Sequence, residues 1–340
     1  MQFGPVPLDQ AEGAVLAHSV PLPGGGRLRK GKVLGRDDLR ALAAAGLDSV
    51  TVARLEAGDI DEDSAALQLA QALVPDPAGA GLRLQAVGTG RVNILAEGPG
   101  VAQINAGQVH AVNACDASIT LATVPEWARM EPGGMVATVK IITYALPGAA
   151  LARACTAGRG ALSLCAPVLK TACLIQTTVG GEMEGAKGQR VIGARLERLG
   201  VALGPETVVA HTQAALAGAL AQAQGDLLLI LTGSATSDSR DVAPGALRQA
   251  GGVVAHFGMP VDPGNLLFIG QLAGRPVVGL PGCARSPALN GADWVMERII
   301  CGIPVSGDEI VRMGVGGLLK EIPSRPRPRR LPRDADQAEG

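Results

Sequence analysis

Aromatic side chains are nearly missing from this chain of 340 residues: three Phe, two Trp and one Tyr. A core must therefore come from Ala, Val, Leu and Ile, and with 47% hydrophobic residues there is ample material for one. Excess charge of either sign is missing too. The formal net charge is −1, so the sequence offers no strongly basic face of the kind nucleic acids demand. Long apolar runs are absent. The most apolar stretch, Leu227–Leu231, falls far short of the roughly 20 residues that span a bilayer, so no membrane association is expected. Met1-Gln2-Phe3-Gly4 carries no basic segment leading into an apolar run, so no secretory signal is expected and the cytoplasm is the expected location. Metal-binding patterns are lacking as well. The four His are scattered, and the six Cys, at 115, 155, 165, 173, 283 and 301, include no C-x-x-C pair. That argues against zinc and for reduced, mostly buried thiols.

Glycine and proline are plentiful, at 47 and 23 residues. With so much apolar content beside them they mark tight turns rather than disorder. A single core rarely grows past a few hundred residues, so two domains are expected. In the amino-terminal half, residues 36–45 have helical spacing with Leu39 and Leu42 on one face and Gly46 at the cap position. Residues 49–55 alternate like a strand. Asp61-Glu62-Asp63 precedes an Ala/Leu-rich helix ending near Val74, where acidic residues suit the positive helix start. From 82 to 146, short apolar runs alternate with Gly, Asn and Asp, which reads as β-rich. A helix over 149–157 follows, and a domain boundary is expected between it and Lys170. The first domain, 1–150, is thus a β-rich α+β region.

Beyond Lys170 the period changes. Strands at 172–177, 206–210, 227–231, 266–269 and 276–280 alternate with helices at 190–199, 213–224, 242–249 and 286–300. This pattern predicts an α/β fold, a doubly wound and mostly parallel sheet over 168–304. Leu227–Leu231 is continuously apolar, as a strand covered on both faces should be. Residues 305–340 form an extension whose Pro/Arg-rich tail, from Ser324, is expected to be disordered.

Three segments carry candidate chemistry. The first, 231–241, leaves the Leu227–Leu231 strand and enters a helix. Gly233 permits a tight turn and close approach, and Thr232, Ser234, Thr236 and Ser237 bring hydroxyls to the carboxyl end of a strand, where open α/β sheets bind ligands. Such a loop at a helix start can hold an anion. Asp238 and Asp241 suit a cation or a ligand N–H group, and Asp241 equally suits a helix cap. In the second, 276–287, Pro281-Gly282 forces a turn. Arg285 can pair with a phosphate or carboxylate, and Ser286 with Pro287 can open a helix. Cys283 reads as a small buried thiol before a reactive one. The third, Asp262-Pro263-Gly264-Asn265, is by itself a β-turn.

In this order and spacing the three segments resemble the molybdopterin-binding domain of molybdopterin molybdotransferases and adenylyltransferases. Where the molybdotransferases carry Ser-Gly-Gly leading to an acidic residue, this chain has Thr232-Gly233-Ser234 leading to Asp241. Where they carry Lys-Pro-Gly-Lys-Pro, it has Asp262-Pro263-Gly264-Asn265-Leu266. Where they carry Gly-Leu-Pro-Gly-Asn-Pro, it has Gly279-Leu280-Pro281-Gly282-Cys283-Ala284. The wording around His256–Asn265 and Pro281–Pro287, with Gly25–Gly31 near the start, is similar to one bacterial subgroup. In that subgroup the domain is often fused to a molybdenum-cofactor cytidylyltransferase-like domain.

The resemblance implies that molybdopterin or the molybdenum cofactor is bound. The implied contact residues are Thr232, Gly233, Ser234, Thr236, Ser237, Asp262, Gly264, Asn265, Pro281, Gly282, Cys283, Arg285 and Ser286. It further implies a cytidylyltransferase or molybdoenzyme as partner, and a homo-oligomer. Both turn lysines are replaced here, by Asp262 and Asn265, and lysines near a phosphate supply charge for transfer chemistry. Binding and hand-over is therefore placed first. A magnesium-dependent transferase, with Asp241 or Asp238 catalytic and Asp241 on the metal, comes second. A scaffold for molybdoenzyme maturation comes third. The basic cluster Arg27, Arg29, Lys30 and Lys32 reads as a solvated loop.

Overall fold

The computed structural model describes residues 1–180 and 185–319. The tail from Ser324, expected to be disordered, lies outside the described residues. The chain divides into two compact units, Met1–Ala166 and Pro167–Gly340. One tryptophan falls in each, Trp127 in the first and Trp294 in the second. Among the described residues no helix is long and apolar enough to cross a membrane.

The first unit is antiparallel wherever its strands pair. Gln2–Pro7 pairs with Ser49–Arg54, which also takes Val15–Leu16. The helix Arg36–Ala44 runs to Ala45 and then Gly46, at φ +80°, the left-handed closure its sequence implied. Leu16, Leu34, Leu42, Val50 and Val52 gather into one aliphatic cluster. A four-stranded sheet follows, in the order Ile119–Thr123, Met135–Ile141, Arg91–Ala96, Leu82–Gly88. The helix Glu62–Leu73 lies on it and buries Ala65, Ala66, Leu69, Ala70 and Leu73, a stripe of helical period. Its start is fixed by Asp61, whose carboxylate accepts the Ser64 N–H at 3.0 Å. That bond also holds the Asp61 carboxyl below the usual carboxylate range. These cores contain no buried aromatic ring, as the composition required.

The second unit alternates strand and helix. It runs β1 (Thr171–Thr178), α1 (Gly185–Glu197), β2 (Ala202–Leu203), β3 (Thr207–Ala210), α2 (Gln213–Gln222) and β4 (Leu227–Leu231). It continues through α3 (Val242–Gln249), β5 (Val253–Phe257), β6 (Phe268–Leu272), β7 (Arg275–Leu280), α4 (Gly291–Ile300) and α5 (Gly307–Arg312). One sheet takes these strands in the order β2-β1-β4-β7-β6-β5, with β3 beside the far half of β1. Pairings among β1, β2, β3, β4 and β7 are parallel, while β6 pairs antiparallel with β7 and β5. The architecture is mixed α/β with a mostly parallel sheet.

All five residues of β4 are fully buried because helices cover both faces of the strand. On one face Leu228 and Ile230 join Leu216 and Leu220 of α2 and Ala243 and Leu247 of α3. On the other, Gly188 of α1 lies so close to Gln176 of β1 that any side chain there would overlap the Gln176 amide. Each such leucine is worth about 2 kcal/mol of burial. Phe268 is the large aromatic of this core, and its ring occupies the space a side chain on Gly279, its cross-strand partner, would need.

Two sequence expectations are corrected here. The last long helix was expected from Ser286. It begins at Gly291 instead, with Asn290 as N-cap, its side-chain oxygen accepting the Ala292 N–H at 2.9 Å. Ser286 closes a short 3-10 turn, Gly282–Arg285. In addition β5, half-exposed at the sheet edge, was not anticipated at all.

The architecture places the candidate segments. β1, β4 and β7 are parallel, so their carboxyl ends share one rim. The bend from β5 to β6 opens on that same rim, because Phe268 at the start of β6 pairs with Gly279 near the end of β7.

Candidate functional site

The first bend leaves β4 at Thr232 and reaches α3 at Val242. Its backbone crosses directly over β1: a Cβ on Gly233 would stand 2.6 Å from the Thr177 carbonyl oxygen. Gly233 N–H donates to Thr177 Oγ1 at 2.9 Å, and that hydroxyl lies 2.8 Å from His211 Nδ1. Thr232 Oγ1 donates to Ser234 O at 2.6 Å and lies 3.3 Å from Thr236 Oγ1. These two threonines are buried and tie the bend together from inside, whereas Ser234 and Ser237 are exposed.

Asp241 adopts the capping role. Its Oδ1 accepts Val242 N–H at 2.7 Å and its Oδ2 accepts Ser237 N–H at 3.1 Å. Asp238 is bound by Arg240, at 3.0 Å from Nε and 3.3 Å from Nη2. Arg240 thereby pulls the Asp238 carboxyl down to about 2. The pair is exposed and contributes little stability, but its titration is a clear signature. An NMR pH titration should place the Asp238 midpoint at about 2, and Arg240→Ala should return it towards the ordinary carboxylate value. An ordinary midpoint in the unsubstituted protein would show the pair does not persist in solution.

The second bend is joined to the first. Arg285 Nη2 donates to Thr232 O at 2.7 Å, so the 3-10 turn after β7 is tethered to the end of β4. Burial pushes the Arg285 guanidinium down from its usual value, yet it remains charged at any physiological pH. From below, Arg195 of α1 donates through Nη1 to Ala284 O at 3.0 Å and through Nη2 to Ser286 O at 2.7 Å and Ala288 O at 2.9 Å. Its Nε meets Asp293 Oδ1 at 2.5 Å, and Asp293 Oδ2 accepts Asn290 N–H at 2.8 Å. Sequence reasoning missed this clamp. The available signal was an arginine on a helical stripe otherwise made of Ile192, Leu196 and Leu199.

The third bend packs beneath α4. Gly291 N–H donates to Pro263 O at 2.9 Å, and Met259 N–H to Asn265 O at 3.0 Å. The Asp262–Pro263 peptide is cis. Gly264, at φ +145°, lies against the Gly291 backbone, where a Cβ would come within 2.8 Å of Gly291 N. Asp262 and Asn265 are exposed, and the Asp262 backbone pairs with Gly317 and Leu319.

Residues 5–54 match a family model described as Domain of unknown function (DUF8806). No curated protein matches the chain. Among solved structures, the chain is similar to the molybdopterin biosynthesis moea protein from Pyrococcus horikosii. The identity is 15% and the TM-score 0.29, over 89% of this chain and 74% of that one.

The rim does not assemble a cation site from the described residues. Magnesium asks for near-octahedral oxygen donors, usually one or two free carboxylates plus phosphates and water. Here both oxygens of Asp241 already accept backbone N–H groups, Asp238 faces Arg240, and no three His, Cys, Asp or Glu side chains gather among the described residues. The six cysteines form no disulfide, as expected, but only Cys173 and Cys301 are buried, with the other four half-buried. Cys283 belongs to this half-buried group.

Proposed function

We propose that the second unit binds molybdopterin, or the molybdenum cofactor made from it, on the carboxyl rim of its sheet. The protein then serves the biosynthesis or delivery of that cofactor. One observation carries the reading: two of the bends that resemble the molybdopterin-binding domain are joined on one rim, Arg285 Nη2 donating to Thr232 O at 2.7 Å, and the third opens on that rim. On this reading the sheet is the doubly wound molybdopterin-binding domain, spanning 168–304. The phosphate meets backbone N–H groups and the exposed Ser234 and Ser237 hydroxyls, a neutral cradle for an anion. Thr232 and Thr236 shape that cradle from behind, and Asp262, Gly264, Asn265, Pro281, Gly282, Cys283 and Ser286 form its other wall.

None of the three bends contains a lysine. The activity proposed is therefore holding and hand-over, with a separate molybdenum-cofactor cytidylyltransferase or a molybdoenzyme as the receiving partner, in the cytoplasm, by a homo-oligomer. Magnesium is left out because the described carboxylates do not fit it.

Anaerobic calorimetric titration of the full-length protein with molybdopterin tests the idea. Saturable binding is expected, and removing the ligand's phosphate should weaken it about tenfold or more, the scale of losing one charge-assisted hydrogen-bond set. Absence of saturable binding disposes of the proposal.

A further inference from the structure

We infer that Arg195 is a positioning residue of this rim, acting through the 284–288 backbone on the phosphate-bearing end of the ligand. The inference rests on the binding role proposed above. Arg195 is 8% exposed. Its guanidinium makes four bonds, to Asp293 and to the carbonyls of Ala284, Ser286 and Ala288. Burying a charge in this way costs several kcal/mol before compensation. A leucine on the same stripe as Ile192 and Leu196 would have filled the space without that cost.

What a leucine cannot do is turn three carbonyl oxygens away from the rim. A carbonyl aimed at a bound anion repels it. In a trans peptide the C=O and the following N–H point in opposite directions. Holding Ala288 O on Arg195 therefore aims Leu289 N–H the other way, while Arg285 N–H stays inside the Gly282–Arg285 3-10 turn. Ser286 O precedes Pro287, which has no N–H. One buried cation thus holds three carbonyls of the bend, and the Arg285 side chain, seated on Thr232 O, is fixed by the same anchorage.

The test uses full-length Arg195→Lys. Lysine keeps the charge opposite Asp293, but its single ammonium cannot reproduce a fork reaching four acceptors. Affinity for molybdopterin should fall about tenfold, while affinity for the dephosphorylated pterin stays within about twofold. A purely architectural arginine would not discriminate between the two ligands. A second reading needs no ligand: alkylation of Cys283 by iodoacetamide, mapped by mass spectrometry, should speed up about threefold or more as the bend loosens.

Should Arg195→Lys fail to fold, the paired change Arg195→Met with Asp293→Leu removes the clamp while leaving no unpaired charge, and the same alkylation increase is expected. If the unsubstituted protein binds no molybdopterin, the proposed function falls, and the Cys283 rates alone decide the clamp. Equal loss for both ligands, or an unchanged Cys283 rate, overturns the inference.

Discussion

Asp293→Ala is expected to destabilise the second unit by about 3–5 kcal/mol, the usual cost of stripping one partner from a buried ion pair. Both side chains are 7% exposed and 2.5 Å apart. Without Asp293 the Arg195 charge would keep three carbonyl dipoles but no counter-charge, in a largely buried place. The same change removes the acceptor for Asn290 N–H, loosening the start of α4. Urea unfolding followed by hydrogen exchange at the β4 amides reads the second unit specifically. The comparison is Glu12→Ala, which breaks the Arg36–Glu12 pair, exposed at 79% and 53%; a change within about 0.5 kcal/mol is expected there. A loss below about 1 kcal/mol for Asp293→Ala would mean that water or a shifted α4 satisfies Arg195.

The second large effect falls on ligand binding. Gly233→Ala places a methyl group 2.6 Å from Thr177 O and 3.3 Å from Thr178 Cα, both backbone atoms of a strand held on two sides. β1 cannot yield, so the bend must retreat and the 2.9 Å bond from Gly233 N–H to Thr177 Oγ1 is lost. Overpacking of this kind costs about 1–3 kcal/mol. Because it displaces the cradle itself, affinity for molybdopterin should fall about tenfold or more. Gly218→Ala, on the exposed side of α2, makes the contrast. Nothing lies within 4 Å of its Cβ, so affinity within about twofold of the original is expected. Equal tolerance at both glycines would sink the account of why the first bend needs glycine.

How much of this was legible before the fold was known differs by element. The Leu227–Leu231 strand announced itself because a strand buried on both faces needs no polar alternation. The helices at 36–44, 62–73 and 242–249 were marked by stripe and cap. β5 was not, because Val253–Phe257 is half-exposed at an edge and interrupted by a bulge between Val254 and His256. The helix start expected at Ser286 moved to Gly291 because Arg195 holds the carbonyls of Ser286 and Ala288, which keeps that stretch out of the helix.

In the candidate site, the bends at 233, 264 and 282 were visible as glycine-bearing turns after apolar runs. The roles of their side chains were not. Whether a threonine hydroxyl faces a ligand or its own loop depends on χ1 and on neighbours far along the chain, as Thr232 and Thr236 illustrate. The Arg195 clamp was hidden more deeply still, since three of its four partners are backbone carbonyls, which leave no trace in residue identity.

The poverty in aromatics has a practical side. Trp294, half-buried next to Asp293 in the first turn of α4, is the sole indole of the second unit, and Trp127 that of the first. Fluorescence emission therefore comes with built-in addresses. Trp127→Phe leaves a protein whose indole signal reports only the half carrying the rim, so ligand-induced quenching can be followed there without attaching a dye.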